Sequence, residues 1–242
     1  MSVPTPDGTC PAALFTPDGS DGTGPWPAVI MFPDAGSLRP AFHEMGQQLA
    51  DLGYAAFVPD VYYRHGEYAP FDFATVFGDE AERNRLFGMV RSVTKAMAAS
   101  DTGAFLDFLA AQPQVAGTKV GTTGYCMGGG LSLTAAAHHP DRIAAAASFH
   151  GGRLADDAPD SPHLVADRIA GRVYVAAAEN DGSFPPEQAD RLEAALKEGG
   201  VEHTIETYPA AHGFAVPDSP TYDAGAAARH WTAMADLYGA TL

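Results

Sequence analysis

Residues 118–138 read TKVGTTGYCMGGGLSLTAAAH, a strand pattern, a glycine-rich turn and a helix pattern in succession. Gly124 and Gly128 each stand two positions from Cys126. A tight turn from strand to helix brings neighbouring backbone close to the residue at its centre, which favours glycine at these two spacings. The segment therefore predicts that the side chain of Cys126 is exposed at the end of a strand. Taken alone, it is also compatible with a buried cysteine beside glycines that only let a helix approach the sheet.

Apolar runs and helical stripes alternate along the rest of the chain. Besides the strand at 118–123, the patterns predict strands at 28–32, 54–58, 143–149, 172–178 and 203–208, and helices at 40–52, 90–112, 185–198 and 222–237. An early strand pair precedes them, a turn rich in glycine and proline covers 19–27, and an acidic helical stretch begins near Asp79. This alternation predicts an α/β fold with an open, mostly parallel sheet and helices on both faces. We expect a single domain over residues 1–242.

The composition excludes several classes of protein. Of the 242 residues, 46% are hydrophobic and 18% are charged, and acidic residues outnumber basic ones 30 to 14 for a formal net charge of -16. This balance argues against intrinsic disorder, and no run approaches the roughly 18 apolar residues of a membrane span. Nucleic acids and anionic membrane surfaces are not expected as partners, because both require a basic protein surface.

The cysteine count bears on the cellular compartment. Cys10 and Cys126 are too few for a disulfide framework, although one bridge between them is compatible with the sequence. Residues 1–7 (MSVPTPD) carry neither the basic nor the apolar segment of a secretory signal. We therefore expect a cytoplasmic location with free thiols.

Two further loops carry residues that complement the cysteine. Asp181 follows the predicted strand 172–178, and His212 follows the predicted strand 203–208. Taken singly, each is typical of an ordinary loop residue. Where a nucleophile occupies a strand-to-helix turn, however, an acid and then a histidine follow it in the chain. Open α/β sheets also place their sites at the carboxyl ends of strands. The order Cys126, Asp181, His212 therefore predicts a catalytic triad.

Together these motifs resemble the dienelactone hydrolases, a cysteine-nucleophile branch of the α/β-hydrolase fold. The resemblance covers nearly the whole chain. Its most specific part is the segment 124–129 (GYCMGG), supported by Asp181 and by residues 212–214 (HGF). It implies that the cysteine, the aspartate and the histidine of these segments are the nucleophile, the acid and the base. It also implies hydrolysis of small carboxylic esters or lactones.

The resemblance extends to the loop after the strand at 28–32. The family places an acidic residue there that hydrogen-bonds the resting thiol, and Asp34 is the match, although the best-known members have the longer Glu. The backbone N–H groups of Ala35 and Met127 would form the oxyanion hole. Members that act on dienelactone carry an arginine four residues after the histidine, where this chain has Val216. Neutral esters or lactones are therefore expected as better substrates than carboxylates.

Side chains near strand ends are candidates for substrate contacts. They are aromatic or basic residues, namely Trp26, Tyr62, Tyr63, Arg64, Phe149, His150 and Phe214. Of these, Tyr62, His150 and Phe214 are predicted to contact substrate, and Arg64 is the candidate to replace the missing arginine. The nine histidines show no metal-ligand spacing, so no metal or other cofactor is expected. The expected partner is a small ester or lactone, and the oligomeric state stays open.

Other functions would use the same residues. In the expected reaction, His212 takes the proton of Cys126, and attack on an ester forms a thioester that water cleaves. A thioesterase would use the same thiol, and a hydrolase fold retained only for binding is a further alternative. The lack of a C-x-x-C pair argues against thiol redox exchange, and the cysteine at position 126 excludes a serine esterase at this turn.

Overall fold

The computed structural model describes residues 1–17 and 24–242. The strands are β1 (Ser2–Thr5), β2 (Gly8–Phe15), β3 (Trp26–Phe32), β4 (Ala55–Pro59), β5 (Val115–Tyr125), β6 (Ile143–Phe149), β7 (Arg172–Ala178) and β8 (His203–Tyr208). The α-helices are α1 (Pro40–Asp51), α2 (Glu80–Ser92), α3 (Lys95–Ala110), α4 (Met127–His138), α5 (Pro186–Glu198) and α6 (Ala224–Gly239). Short 3-10 helices cover Tyr63–His65 and Pro162–Arg168.

These strands form one sheet in the order β1-β2-β4-β3-β5-β6-β7-β8. The pairs β1–β2 and β2–β4 are antiparallel, and the neighbours from β4 through β8 are parallel. Successive residues of β3 alternate between two cores, with Ile30 on the side of α2 to α5 and Met31 on the side of α1 and α6. The prediction of a mostly parallel sheet with helices on both faces is confirmed.

Most predicted elements lie where the patterns placed them. The bounds of β6, β7 and β8 agree with the prediction, α1, α5 and α6 agree to within two residues, and α4 ends at His138 as predicted. Strand β5 is longer than the predicted 118–123, because it extends in both directions to Val115 and Tyr125. The early strand pair is present as β1 and β2. Of the predicted turn at 19–27, residues 19–23 lie outside the described residues, and Trp26 and Pro27 belong to β3.

The predicted single helix over 90–112 is wrong. The chain instead forms α2, which ends at Ser92, and α3, which begins at Lys95. Val93 and Thr94 between them are extended, and the Thr94 hydroxyl accepts a hydrogen bond from the Met97 N–H at 3.2 Å. Such a side-chain cap satisfies a free backbone N–H at a helix start and thereby favours a new helix. No helix among the described residues is long and apolar enough to cross a membrane.

Candidate active site

Cys126 lies on a strained turn between β5 and α4. Its φ is 54° and its ψ is -118°, a left-handed conformation that non-glycine residues adopt at an expense of about 1–3 kcal/mol. Two glycines let the surrounding backbone impose it. A Cβ on Gly124 would overlap the carbonyl of Gly128, and a Cβ on Gly128 would overlap the carbonyls at the end of β3. The close approach that the glycine spacing predicted is present.

Asp181 and His212 meet in the loops that follow β7 and β8. Oδ2 of Asp181 accepts a hydrogen bond from Nδ1 of His212 at 2.6 Å. The other carboxylate oxygen, Oδ1, accepts from the backbone N–H of Ser183 at 2.8 Å and from its hydroxyl at 2.7 Å. Sequence reasoning did not identify Ser183, although the Asp-x-Ser spacing is typical of a turn in which the aspartate accepts from the residue two positions on. Ser183 thus fixes the carboxylate that orients the histidine.

The pKa values of this pair move apart. Burial acts to raise the pKa of Asp181, but hydrogen bonds from His212 and Ser183 outweigh it and lower the pKa to about 2. Burial acts to lower the pKa of His212, but the hydrogen bond to Asp181 and the interaction with the Cys126 sulfur outweigh it and raise the pKa to about 10. His212 therefore carries a positive charge at neutral pH in this arrangement.

The expected oxyanion donors, Ala35 and Met127, come from two different parts of the chain. Met127 is the first residue of α4, and Ala35 lies in the loop after β3. The Tyr62 hydroxyl bridges the two residues, because it donates to the carbonyl of Ala35 at 2.9 Å and faces Sδ of Met127 at 3.3 Å. Within residues 1–17 and 24–242, the backbone N–H groups of Ala35 and Met127 donate to no protein acceptor. Both groups are thus available to a ligand at the N-terminal end of α4.

Asp34 is held by an arginine rather than by the thiol. Its Oδ1 accepts from the Arg39 guanidinium at 2.6 Å and from the Gly36 N–H at 2.8 Å, and its Oδ2 accepts from Arg39 at 3.0 Å. No hydrogen bond joins Asp34 to Cys126 in the described part of the chain. An influence of Asp34 on the thiol stays a prediction, and it would act through charge. Arg39 was not identified from the sequence, since nothing in its local pattern marks it.

The predicted substrate contacts have different surroundings. Tyr62, His150 and Phe214 are buried. The His150 ring lies edge-on to His212, with centroids 5.1 Å apart, and to Phe214 at 4.9 Å. Arg64 is engaged elsewhere, because its guanidinium pairs with Asp7 at 2.7 Å and with Asp101 at 2.8 Å. His150 therefore lies behind the histidine of the site, and Arg64 is occupied by two carboxylates.

The side chains of the remaining aromatic candidates are engaged in other contacts. Phe149 is fully buried and stacks on Tyr125 with ring centroids 5.8 Å apart. The Tyr63 hydroxyl donates to Asp101 at 2.9 Å, beside the Arg64 ion pairs. Trp26 packs at the edge of the core at the start of β3, the end of the strand opposite to Ala35. These positions fit packing roles.

The second cysteine has a different environment. Cys10 is fully buried, and its thiol donates to the carbonyls of Pro11 at 3.3 Å and Asp60 at 3.4 Å. Burial raises the pKa of Cys10 to about 12. Both cysteines are free, so the bridge that the sequence left open is not formed. Among the described residues, no group of three or more His, Cys, Asp or Glu has an arrangement that could hold a metal ion.

Comparison with known proteins identifies the family of the chain. A family model described as the dienelactone hydrolase family matches residues 10–242. The chain belongs to the dienelactone hydrolase family. It is accordingly a carboxylic ester hydrolase with the mostly parallel sheet of that family.

Other members of the dienelactone hydrolase family are similar over nearly their whole length. A provisionally named carboxymethylenebutenolidase of Escherichia coli K12 is 29% identical, over 98% of this chain and 84% of the relative. A provisionally named dienelactone hydrolase from Klebsiella pneumoniae has a TM-score of 0.83 and 25% identity, covering 99% of this chain and 96% of the other. A dienelactone hydrolase-like promiscuous phosphotriesterase from metagenomic libraries has a TM-score of 0.77 and 30% identity, covering 100% and 97%.

Proposed function

We propose that this dienelactone hydrolase family member hydrolyses small carboxylic esters or lactones through a triad of Cys126, Asp181 and His212. The observation that carries the proposal is the hydrogen bond between Asp181 and His212, next to a cysteine on a strained strand-to-helix turn. Residues 1–242 act as a single domain in this proposal. The substrate approaches the carboxyl ends of the parallel strands, where these three residues lie.

The first half-reaction forms an acyl-enzyme. The sulfur of Cys126 attacks the ester carbonyl carbon, a C–S bond forms, and the carbonyl oxygen becomes an oxyanion. The backbone N–H groups of Ala35 and Met127 donate to that oxyanion, and the positive end of the α4 dipole points at it. His212, which holds the proton of the thiol, gives it to the leaving alkoxide as the C–O bond breaks. The alcohol is released and the acyl group stays on sulfur as a thioester.

The second half-reaction releases the acid. His212 takes a proton from water as the water oxygen attacks the thioester carbonyl. The same two N–H groups stabilise the second oxyanion, the C–S bond breaks, and the proton and thiolate are restored to the resting pair. Asp181 keeps Nδ1 of His212 protonated throughout, so that the other ring nitrogen faces the reaction. With a lactone, the alcohol and the acid are two ends of one product molecule.

A reduced thiol is a condition of this mechanism. Both cysteines are free in the structure, and Cys126 is partly exposed. An exposed thiol persists in compartments that are kept reducing. We therefore also propose a cytoplasmic site of action.

A substrate panel with matched cysteine variants tests the proposal. Initial rates are measured with p-nitrophenyl acetate and butyrate, small lactones and an acyl thioester, for the wild type, Cys126→Ala and Cys10→Ala. We expect Cys126→Ala to abolish turnover while the folded protein keeps its circular dichroism spectrum, and Cys10→Ala to retain turnover. Mass spectrometry of an acid-quenched reaction should find the acyl group on the peptide that contains Cys126.

Three outcomes would contradict the proposal. Full ester turnover by Cys126→Ala would show that Cys126 is not the nucleophile. Turnover of the thioester alone would identify a thioesterase. Saturable binding of the panel without any turnover would identify a binding protein.

A further inference from the structure

Arg39 connects two acidic side chains that lie far apart in the sequence. It precedes α1 and is 7% exposed. Its guanidinium donates to Asp34 at 2.6 and 3.0 Å and to Asp218 through Nε and a terminal nitrogen, both at 2.8 Å. Asp218 is 179 positions from Arg39 along the chain. Paired N–H···O bonds to a carboxylate fix both distance and orientation, so one guanidinium holds both acids in place.

The two acids belong to the two loops that carry the proposed chemistry. Asp34 immediately precedes Ala35, whose N–H is a proposed oxyanion donor. Asp218 lies six residues after His212, in the loop between β8 and α6. Arg39 therefore joins the loop of an oxyanion donor to the loop of the histidine. Phe42 and Phe73 cover the guanidinium, with ring centroids 5.0 and 4.3 Å from its central carbon.

The burial of these groups is unequal. The side chains of Arg39 and Asp34 are 6% and 8% exposed, whereas that of Asp218 is 41% exposed. A buried charge that loses its partner is strongly disfavoured, and a partly exposed one is compensated by water. The Asp34–Arg39 pair therefore carries most of the charge compensation, and the Asp218 contact mainly fixes the loop of His212.

Asp34 and Cys126 each adjoin a residue that the Tyr62 hydroxyl contacts, Ala35 and Met127 respectively, and no hydrogen bond joins the two among the described residues. The pKa of the buried Tyr62 hydroxyl is raised first by burial and then by electrostatic interaction with Asp34 and Cys126, so both residues lie within electrostatic range of that hydroxyl. The charged and titratable groups near this region are His212 and Tyr62 beside the sulfur, and Asp218, Asp60 and Tyr68 around Arg39. An uncompensated carboxylate at position 34 would oppose both a thiolate and an oxyanion.

We propose that Arg39 is a positioning residue that aligns the oxyanion loop with the His212 loop and neutralises Asp34 beside Cys126. The proposal rests on the function proposed above, because it assumes that Cys126 reacts and that Ala35 and His212 assist. Its two parts are separable by substitution. Removal of Asp218 frees the histidine loop and leaves the Asp34–Arg39 pair intact. Removal of Arg39 also leaves Asp34 uncompensated. Removal of Arg39 together with the charge of Asp34 restores the charge balance.

The experiment compares Arg39→Gln, Asp218→Asn and the double variant Asp34→Asn/Arg39→Gln with the wild type. Arg142→Gln is the matched control, since Arg142 forms a surface pair with Asp107 at 2.9 Å. Two quantities are measured from pH 5 to pH 10 (roughly the range in which thiols and histidines titrate). One is kcat and KM for a neutral p-nitrophenyl ester. The other is the rate of Cys126 alkylation by iodoacetamide, followed by mass spectrometry, which needs no turnover.

Each variant has a distinct expected result. Arg39→Gln should lower kcat about 10–100-fold, as loop misplacement does. It should also move the acid limb of the alkylation profile up by about one pH unit or more, as a nearby like charge does. In the double variant the limb should return toward its wild-type position, while kcat stays low. Asp218→Asn should lower kcat with KM and the alkylation limb little changed, and Arg142→Gln should match the wild type.

Several outcomes would overturn the inference. Wild-type kcat and an unshifted limb in folded Arg39→Gln would refute it. If the acid limb of the alkylation profile stays shifted in the double variant, Asp34 does not cause the shift. If Asp218→Asn keeps the wild-type kcat, the Arg39–Asp218 contact does not align the two loops for catalysis. If Arg39→Gln does not fold, the kcat values of the charge-balanced double variant and of Asp218→Asn test whether Arg39 aligns the two loops. The alkylation profile of Asp34→Asn then tests the charge compensation, and we expect its acid limb at the wild-type pH or below. Turnover by Cys126→Ala would instead refute the proposed function, whatever the alkylation profiles show.

Discussion

Nδ1 of His212 lies 2.6 Å from Oδ2 of Asp181, although 31 positions separate the two residues in the chain. Each stands in a loop just after a strand, and β7 and β8 are parallel neighbours, so the sheet brings the loops together. The contact is established by the fold before any substrate binds. It also makes the protonation of His212 a contributor to stability.

We predict that the contribution of His212 to stability declines in alkaline solution. Its pKa is raised from an ordinary value of 6.5 to about 10, so its contribution is fully present below pH 6.5 and is lost as the pH rises through about 10. Urea unfolding of the wild type and His212→Gln from pH 6 to pH 10 measures it (the ordinary and raised values set this range). The difference in unfolding free energy should shrink across this range. The exposed His43, changed to Gln, is the control, and an unchanging difference for His212→Gln would contradict the prediction.

We predict that Asp181 matters more to turnover than Asp34. Asp181→Asn puts an amide against Nδ1 of His212 and favours the wrong tautomer, which should lower kcat about 10³–10⁴-fold. Asp34→Asn leaves Arg39 with Asp218 and should lower kcat by no more than about tenfold, because only one member of the cluster is lost. Steady-state rates with one neutral ester give both values. The reverse ranking would mean that the two acids have been assigned to the wrong roles.

We predict that the Ser183 hydroxyl supports Asp181. Ser183→Ala removes one of two donors to Oδ1 and leaves the backbone N–H in place. A hydrogen bond to a charged group contributes about 1.5–3 kcal/mol, so kcat should fall about 10-fold or more. Ser183→Thr keeps the hydroxyl and serves as the matched variant, with kcat expected near that of the wild type. Wild-type kcat in both the alanine and the threonine variants would show that the backbone donor suffices.

We predict that the His150 ring packs against His212 as an apolar group and takes no part in the reaction. It is 1% exposed, and neither of its ring nitrogens has a hydrogen-bond partner among the described residues. Burial, and then the charge of His212, lower its pKa well below the ordinary value. His150→Phe should therefore keep kcat within about threefold, and His150→Ala should lose about 2–4 kcal/mol of unfolding free energy through the cavity. A large loss of kcat in a folded phenylalanine variant would assign the ring nitrogens a role in the reaction.

We predict a preference for neutral substrates over carboxylates. Val216 is fully buried, Arg64 pairs with Asp7 and Asp101, and Arg39 pairs with Asp34 and Asp218. An arginine–carboxylate contact contributes about 1.5–3 kcal/mol, or about one to two decades in kcat/KM. The measurement is kcat/KM for a lactone that carries a carboxylate and for its methyl ester. Faster turnover of the carboxylate would show that an arginine leaves its pair when substrate binds.

Local patterns predicted the elements well where one signal dominated. The bounds of β6 and β7 follow from apolar runs, and β7 and β8 end just before Glu179 and Pro209. The division between α2 and α3 was missed because Val90, Val93 and Met97 continue an apolar stripe through the break. Only the capping contact of Thr94 reveals where the second helix starts.

The site residues divide in the same way. Cys126, Asp181 and His212 stand in a recognisable order, with one of them between glycines, so chain order and loop position were enough to select them. Arg39 and Asp218 have no such signal, because their pairing depends on loops that only the folded sheet brings together. Contacts between residues this far apart in the sequence depend on tertiary structure, which the periodicity of apolar residues does not encode.

The burial of Cys10 gives a means of counting intact sites in a sample. Its thiol is fully covered and its pKa is raised to about 12, whereas Cys126 is partly exposed. A thiol-specific dye at neutral pH should therefore label one sulfur per native molecule and two once the chain is unfolded in urea. The difference between the two readings counts Cys10 and therefore all molecules, so the native reading divided by that difference gives the fraction of molecules whose reactive thiol has escaped oxidation, independently of any substrate. Rates from different preparations can then be normalised to titrated sites rather than to total protein.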